Sequence, residues 1–178
     1  MTVASLDAIT KDSAAQGSIM DRHSELQHVL DEWAGTLISA VAHATPTAAA
    51  VKLFRAFLSN ELLPHMRAEE RTVYPAAALH PKTELLVRAL VSENRSIAWH
   101  VGRLATEAGP EAAATAEAIR SLFAVHVAKE NYLLLRLSTA PGRAWPPCSH
   151  ANPPWSAADE RAGAVSVSTS RGRQCRTA

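Results

Sequence analysis

Apolar residues recur every three or four positions over most of the first 137 residues, which is the period of a helix with one buried face. The pattern predicts four helices, over about residues 19–43, 47–77, 83–107 and 110–137. Proline or glycine separates them, at 45–46, 80–81 and 109–110. Four amphipathic helices joined by short turns predict an all-α, up-down-up-down four-helix bundle.

The segments that flank this pattern differ from it in composition. Residues 1–17 are small and polar, and we predict a flexible amino terminus there. After Ser138 the chain becomes rich in proline, glycine, serine and arginine, with neither helical nor strand periodicity. We therefore predict a bundle over 18–138 and a disordered tail over 139–178.

Two polar residues interrupt the apolar stripe of the second helix. His65 and Glu69 are four positions apart, so on a helix their Cβ atoms lie about 5–6 Å from each other. Taken alone, such a pair is usually solvated and contributes only about 0.3–0.5 kcal/mol. If the pair is buried, it needs a partner, and a metal ion uses neutral imidazole and ionised carboxylate together.

The fourth helix repeats this spacing. His126 and Glu130 interrupt its apolar stripe, which otherwise consists of Ile119, Leu122, Phe123, Leu133 and Leu137. In the predicted topology the second and fourth helices run in the same sense, so the two pairs can face each other across the core. His23 begins the buried face of the first helix and can join them, whereas His28 and His43 point towards solvent. The pattern predicts one metal site in the core.

The third helix lacks an apolar residue where its stripe should continue. Glu93 and Asn94 occupy that slot, between Leu90 and Ile97. Asn94 therefore faces the predicted metal layer, although an inward rotation of Glu93 is an alternative. His100 lies on the edge of the same face but about 9 Å further along the axis, so a partly buried, non-ligating histidine is at least as good an interpretation.

Composition and charge exclude several functional classes. Apolar residues make up 47% of the chain and aromatic residues 5%, which favours packed helices over sheets. The formal net charge of +1 gives no electrostatic basis for binding nucleic acid or an anionic membrane. The chain shows neither a stretch of about 20 apolar residues nor a secretory signal, so we expect a cytoplasmic protein. Two cysteines in the tail indicate no thiolate metal site.

Several phrases together resemble the hemerythrin-like, HHE cation-binding family. The first and second helices contain Asp21-Arg-His-Ser-Glu-Leu26 and His65-Met-Arg-Ala-Glu-Glu70. The third and fourth contain Glu93-Asn-Arg95 and Leu122-Phe-Ala-Val-His-Val-Ala-Lys-Glu-Asn131. The resemblance implies a non-haem di-iron centre in which His23, His65 and His126 are terminal ligands. It implies further that Glu69 and Glu130 bridge the two irons.

The chain departs from this family at Asn94, where the family has histidine. An amide is a poor iron ligand, so one iron is expected to bind weakly, to keep a water molecule or to be missing. The first functional hypothesis is a di-iron protein that binds or senses dioxygen or a related small oxidant, such as nitric oxide or peroxide. The second is an iron sensor or storage-like module without catalysis, and the third is a metal-free helical interaction module. The sequence assigns no catalytic residue, favours a metal- and oxidant-binding protein over a dedicated enzyme, and does not identify a protein partner.

Overall fold

Five α-helices and two π-helical turns make up residues 3–135, the part of the chain whose backbone the computed structural model describes; side chains are described from residue 14. The helices are α1 (Val3–Ala42), α2 (Ala48–Phe57), α3 (Leu63–Ala78), α4 (Pro81–Arg103) and α5 (Gly109–Lys129). One π-turn, Leu58–Leu62, joins α2 to α3, and the other, Glu130–Leu134, follows α5. The chain thus forms four long helical rods: α1, then α2 with the first π-turn and α3, then α4, then α5 with the second π-turn. The predicted all-α bundle is confirmed. The predicted tail, 139–178, lies outside the described residues.

The first rod is longer than the sequence pattern predicts. Helix α1 begins at Val3 rather than near residue 19. Residues 3–16 contain neither proline nor glycine and include several alanines, so nothing in the chain stops the helix from extending backwards. The flexibility predicted for residues 1–17 stays a prediction. The predicted inward positions His23, Leu26, Leu30 and Leu37 are all buried.

The second rod is distorted just before His65, where Pro64 predicts a kink. The distortion is the π-turn Leu58–Leu62, in which the Leu63 N–H donates to the Leu58 carbonyl five residues earlier. Proline has no N–H to donate, so the helical hydrogen-bond ladder must change in this neighbourhood. Leu58 and Leu62 both stay buried, so the wider turn preserves the apolar stripe that leads to His65.

The fourth rod contains a second π-turn that the sequence pattern does not predict. The Leu135 N–H donates to the Glu130 carbonyl, again five residues earlier. A turn of this kind accommodates an extra residue, so the buried face moves along the chain. Leu134 and Leu135 are buried, whereas Leu133 is 49% exposed. The prediction that Leu133 faces the core was therefore wrong, and Leu137 lies outside the described residues.

The buried apolar residues form two separate clusters along the bundle. The larger contains side chains from all four rods, among them Leu30, Leu37, Phe54, Ile97, Ile119 and Phe123. The smaller lies near the turn between α3 and α4 and consists of Ile19, Val73, Tyr74, Ala77, Val87, Leu90, Leu134 and Leu135. Helix α1 packs on α5, and α4 packs on both α3 and α5. Along the chain, His23, Glu69 and Glu130 each lie between a residue of one cluster and a residue of the other.

Each rod also keeps a solvent-facing polar side, as a bundle helix requires. Exposed charged residues recur along α1, α4 and α5. Between residues 3 and 135, no helix is both long and apolar enough to cross a lipid bilayer.

Candidate metal centre

Three rods bring the five predicted site residues into one buried cluster. His23 comes from α1, His65 and Glu69 from α3, His126 from the end of α5, and Glu130 from the first position of the second π-turn. None of the five residues is more than 2% exposed. The i, i+4 spacing places His65 beside Glu69 and His126 beside Glu130. The packing of α1 on α5 then brings His23 to the same place, where it contacts Glu69 and Glu130.

The first half of the cluster is a triad of His23, His65 and Glu69. Glu69 Oε1 lies 2.9 Å from His23 Nε2 and 3.4 Å from His65 Nε2. The two imidazole rings are perpendicular, with their centroids 5.1 Å apart. Each residue offers one donor atom, and these atoms all lie within 4.8 Å of one another, which is close enough to surround one ion.

The second half is a triad of Glu69, His126 and Glu130, whose donor atoms also lie within 4.8 Å of one another. Glu130 faces both halves: its Oε1 is 3.4 Å from His126 Nε2, and its Oε2 is 3.3 Å from His23 Nε2. Glu69 belongs to both triads. The two carboxylates therefore lie between the two groups of histidines.

A tyrosine hydroxyl adds another polar atom to the second triad. Tyr74 Oη donates to Glu130 Oε1 at 2.5 Å and lies 3.3 Å from His126 Nε2. Burial raises the pKa of Tyr74, and the charge of Glu130 raises it further, so the hydroxyl keeps its proton here. The sequence leaves two interpretations of Tyr74, a packed residue at a helix end, which is the commoner case, and a hydrogen-bonding residue near the centre. The structure shows it both packed and hydrogen-bonded to the cluster.

Two of the three histidines are held through their outer ring nitrogens. His23 Nδ1 lies 2.8 Å from Asn131 Oδ1, and His126 Nδ1 lies 3.1 Å from Glu93 Oε2. Lys129 forms an ion pair with the other oxygen of Glu93. Because an acceptor faces each Nδ1, the proton of the neutral ring is held there and the lone pair of Nε2 points to the cluster. This is the tautomer that a metal ion at the cluster requires.

Burial dominates the protonation of the cluster. It lowers the pKa of His65 to about 3, so this ring is neutral near pH 7. It raises the pKa of Glu69 to about 7, and the nearby charge of Glu130 adds to that effect. Burial also opposes charge on His23, but the hydrogen bonds to Glu69 and Asn131 and the charges of Glu69 and Glu130 together outweigh it and raise the pKa of His23. The metal-free cluster therefore shares protons among groups that a cation could hold instead.

A test of whether the cluster suits a metal ion comes from an unmatched carboxylate oxygen. Within residues 14–135, Glu69 Oε2 accepts no hydrogen bond, although this atom is buried. An unpaired buried carboxylate oxygen costs several kcal/mol, about as much as a lost charged hydrogen bond or more. A divalent cation among two carboxylates and three imidazoles would compensate that cost. The donor set therefore fits a metal ion.

Helix α4 contributes no imidazole to either triad. Asn94 is only 4% exposed and faces the core as predicted, but its Nδ2 donates to Glu70 Oε1 at 2.8 Å. His100 is half-buried, with its ring against Trp99 at 4.8 Å, and it belongs to neither triad. Glu93 reaches the outer nitrogen of His126 rather than the space between the triads. Neither His100 nor Glu93 replaces the missing histidine.

Reasoning from the sequence did not assign the contacts that surround the cluster. Asn131, Glu93 and Lys129 contact the histidines or their partners, and Tyr74 reaches Glu130. Asn131 and Lys129 directly flank Glu130 in the chain, which is the one local signal that could have indicated them. Glu93 and Tyr74 come from other rods, so their contacts depend on how the helices pack.

The comparisons with known proteins agree with this geometry. The family model of the hemerythrin HHE cation binding domain matches residues 16–138, which is more than half of the chain. This range contains all four rods from residue 16 onwards and all five residues of the cluster. No curated protein and no solved structure matches the chain. From the family match over the whole bundle, the chain belongs to the hemerythrin HHE cation-binding domain family.

Proposed function

We propose that this protein holds a non-haem di-iron centre and uses it to bind or sense dioxygen or a related small oxidant, such as nitric oxide or peroxide. The observation that carries the proposal is the pair of buried His/Glu triads that share Glu69. One triad alone would suit a single ion. Two triads with a common carboxylate suit two ions that lie close together.

The positions of the side chains support a role for each. His23 and His65 would be terminal ligands of the first ion, and His126 of the second. Glu69 would bridge, because it belongs to both triads. Glu130 would also bridge, because its two oxygens face His126 and His23 respectively. With carboxylates between the histidines, the two ions would be held by five protein side chains.

The chemistry of the donors favours iron. Imidazole and carboxylate without thiolate suit iron or manganese, although zinc accepts the same ligands. Iron would supply the reversible electron transfer that binding or sensing an oxidant requires. The protein's own contribution is burial, since each of the five residues is at most 2% exposed. A site enclosed in this way excludes bulky substrates and favours small ligands.

Metal analysis of the purified chain, with its absorption spectrum in air, tests the proposal. We expect close to two iron atoms per chain, or one if Asn94 weakens a site, with charge-transfer bands in the near ultraviolet. Stoichiometric zinc without iron after iron-replete expression would contradict the di-iron proposal. A chain that folds but takes up no metal would favour a helical interaction module instead.

Substitution of the bridging candidates tests their roles. Glu69→Ala and Glu130→Ala should each abolish the spectrum of the paired irons, because a bridge is lost in both. Glu70→Ala is a matched control, since Glu70 adjoins Glu69 in the chain but accepts a hydrogen bond from Asn94 instead. If either bridge variant keeps the wild-type spectrum, that residue does not bridge.

One observation favours an iron sensor as a second candidate function. The second triad has one imidazole, and the amide of Asn94 is hydrogen-bonded to Glu70 rather than directed at an ion. A site with fewer donors would fill only at higher iron concentration, which suits a sensor of iron supply. Iron affinities of the two sites that differ by a hundredfold or more, with no spectral response to oxidants, would support it.

A further inference from the structure

His23 and His126 have chemically different hydrogen-bond partners at their Nδ1 atoms. The acceptor for His23 Nδ1 is the neutral amide oxygen of Asn131, at 2.8 Å. The acceptor for His126 Nδ1 is a carboxylate oxygen of Glu93, at 3.1 Å. A carboxylate makes a stronger, charge-assisted hydrogen bond, and it makes the imidazole a stronger electron donor through Nε2.

The stronger acceptor lies on the side of the cluster that has fewer imidazoles. The first triad contains both His23 and His65, whereas the second contains only His126. Asn94, on the same helix as Glu93, supplies no imidazole to make up the difference. The side chain of Glu93 is thus placed where an ion would depend most on a single histidine.

Lys129 modifies this arrangement. Its ammonium group forms an ion pair with Glu93 Oε1, while Glu93 Oε2 faces His126. The pair is partly exposed, with side-chain exposures of 32% for Lys129 and 22% for Glu93. The lysine therefore withdraws part of the carboxylate charge from His126 without breaking the contact.

We propose that Glu93 is a positioning residue for the second metal site. It fixes the tautomer of His126 and increases the donor strength of this ring, which compensates for the histidine missing at position 94. Lys129 limits the effect. The inference rests on the proposed function only in that the cluster must bind metal ions.

A purely structural role for these residues makes a different prediction. Glu93 and Lys129 join α4 to the fourth rod, so they could act simply as an ion pair between helices. Removal of either charge would then weaken the same contact and change metal binding in the same direction. The positioning role predicts that the two removals act differently, because only Glu93 touches His126.

Titration of the full chain with cobalt(II), followed by its visible absorption and by competition with a chelator, distinguishes these roles. The wild-type chain should take up two ions. Glu93→Gln keeps the size and the acceptor but removes the charge. We expect it to weaken one binding event about tenfold and to shift that event's ligand-field spectrum, while the other event changes less than about twofold. Lys129→Met should leave the same event unchanged or strengthen it.

Asn131→Ala is the matched variant on the other side. It removes the acceptor for His23, so it should weaken the event that Glu93→Gln spares. Unchanged affinities in Glu93→Gln would overturn the inference, as would equal weakening by Lys129→Met. A wild-type chain that takes up no cobalt would overturn the proposed metal centre and this inference with it. If the wild-type chain binds two cobalt ions and Glu93→Gln binds them with the same affinities, only the inference is overturned and the proposed metal centre stands.

Discussion

The two apolar clusters of the bundle differ in size and in what surrounds them. The larger includes fully buried leucine, isoleucine and phenylalanine side chains from every rod. The smaller lies near the turn between α3 and α4 and includes Tyr74, whose hydroxyl reaches Glu130. The metal cluster adjoins both. On the second rod, Glu69 lies between Met66 of the larger cluster and Val73 of the smaller, and on the fourth rod Glu130 lies between Phe123 and Leu134 in the same way.

This difference indicates that the two parts of the core are stabilised in different ways. The large cluster gains free energy from apolar area removed from water, with or without a metal ion. The small cluster is hydrogen-bonded through Tyr74 to the buried carboxylate of Glu130, and buried carboxylates destabilise the fold unless they are compensated. We therefore expect the fold to depend on the large cluster and the order of the small one to depend on metal.

The largest expected effect comes from the large cluster. Phe54 is fully buried and stacks on Trp33 with ring centroids 6.3 Å apart. Phe54→Ala should lower the free energy of unfolding by about 3–5 kcal/mol, because it leaves a cavity. Leu53→Ala is the control, since Leu53 is 56% exposed and should change stability by no more than about 0.5 kcal/mol. Urea unfolding of the metal-free chain measures both. Equal effects would contradict the assigned core.

Removal of metal should act mainly on the small cluster. An ion present at a hundred times its dissociation constant adds about 2.7 kcal/mol of stability, so a chelator should lower the melting temperature of the loaded protein. Hydrogen exchange should then accelerate most around Tyr74, Ala77 and Leu134, which are in or beside the small cluster. Uniform acceleration along all four rods would mean that the two parts of the core are not separable.

The π-turn after α5 gives a sharper test within the small cluster. Leu134 is fully buried and Leu133 is 49% exposed, although the regular helical pattern favours Leu133. Leu134→Ala should cost about 2 kcal/mol, near the lower end for a buried leucine, and Leu133→Ala no more than about 0.5 kcal/mol. Thermal unfolding of the two variants decides the register. A larger effect at Leu133 would show that the fourth rod continues as a regular α-helix.

The smallest expected change is a gain at the second metal site. Asn94→His would place an imidazole on the buried face of α4, so iron should be lost to a chelator about tenfold more slowly or be bound about tenfold more tightly, which is about 1.4 kcal/mol. His100→Ala should leave metal affinity unchanged, since His100 belongs to neither triad. Loss of iron in His100→Ala, with no change in Asn94→His, would reverse this assignment.

Much of the bundle could be predicted from local patterns. The periodicity of apolar residues predicted four rods, because helical spacing is a property of neighbouring residues. It also indicated His65/Glu69 and His126/Glu130, because i, i+4 pairs meet on any helix. The start of α1 and the second π-turn were not predicted, since helix ends and register shifts depend on small differences between competing hydrogen-bond patterns.

The sequence alone therefore determined the all-α class, the inward direction of His23, His65 and His126, and the five residues that meet. Only the tertiary structure decided which atoms of those residues meet and what surrounds them. Glu130 faces both triads, Glu93 and Asn131 hold the outer nitrogens of two histidines, and Asn94 pairs with Glu70. Each of these contacts joins different rods, and two of them involve residues of the second π-turn. Their geometry depends on helix rotation and axial offset, which the packing of the whole bundle sets and no local pattern specifies.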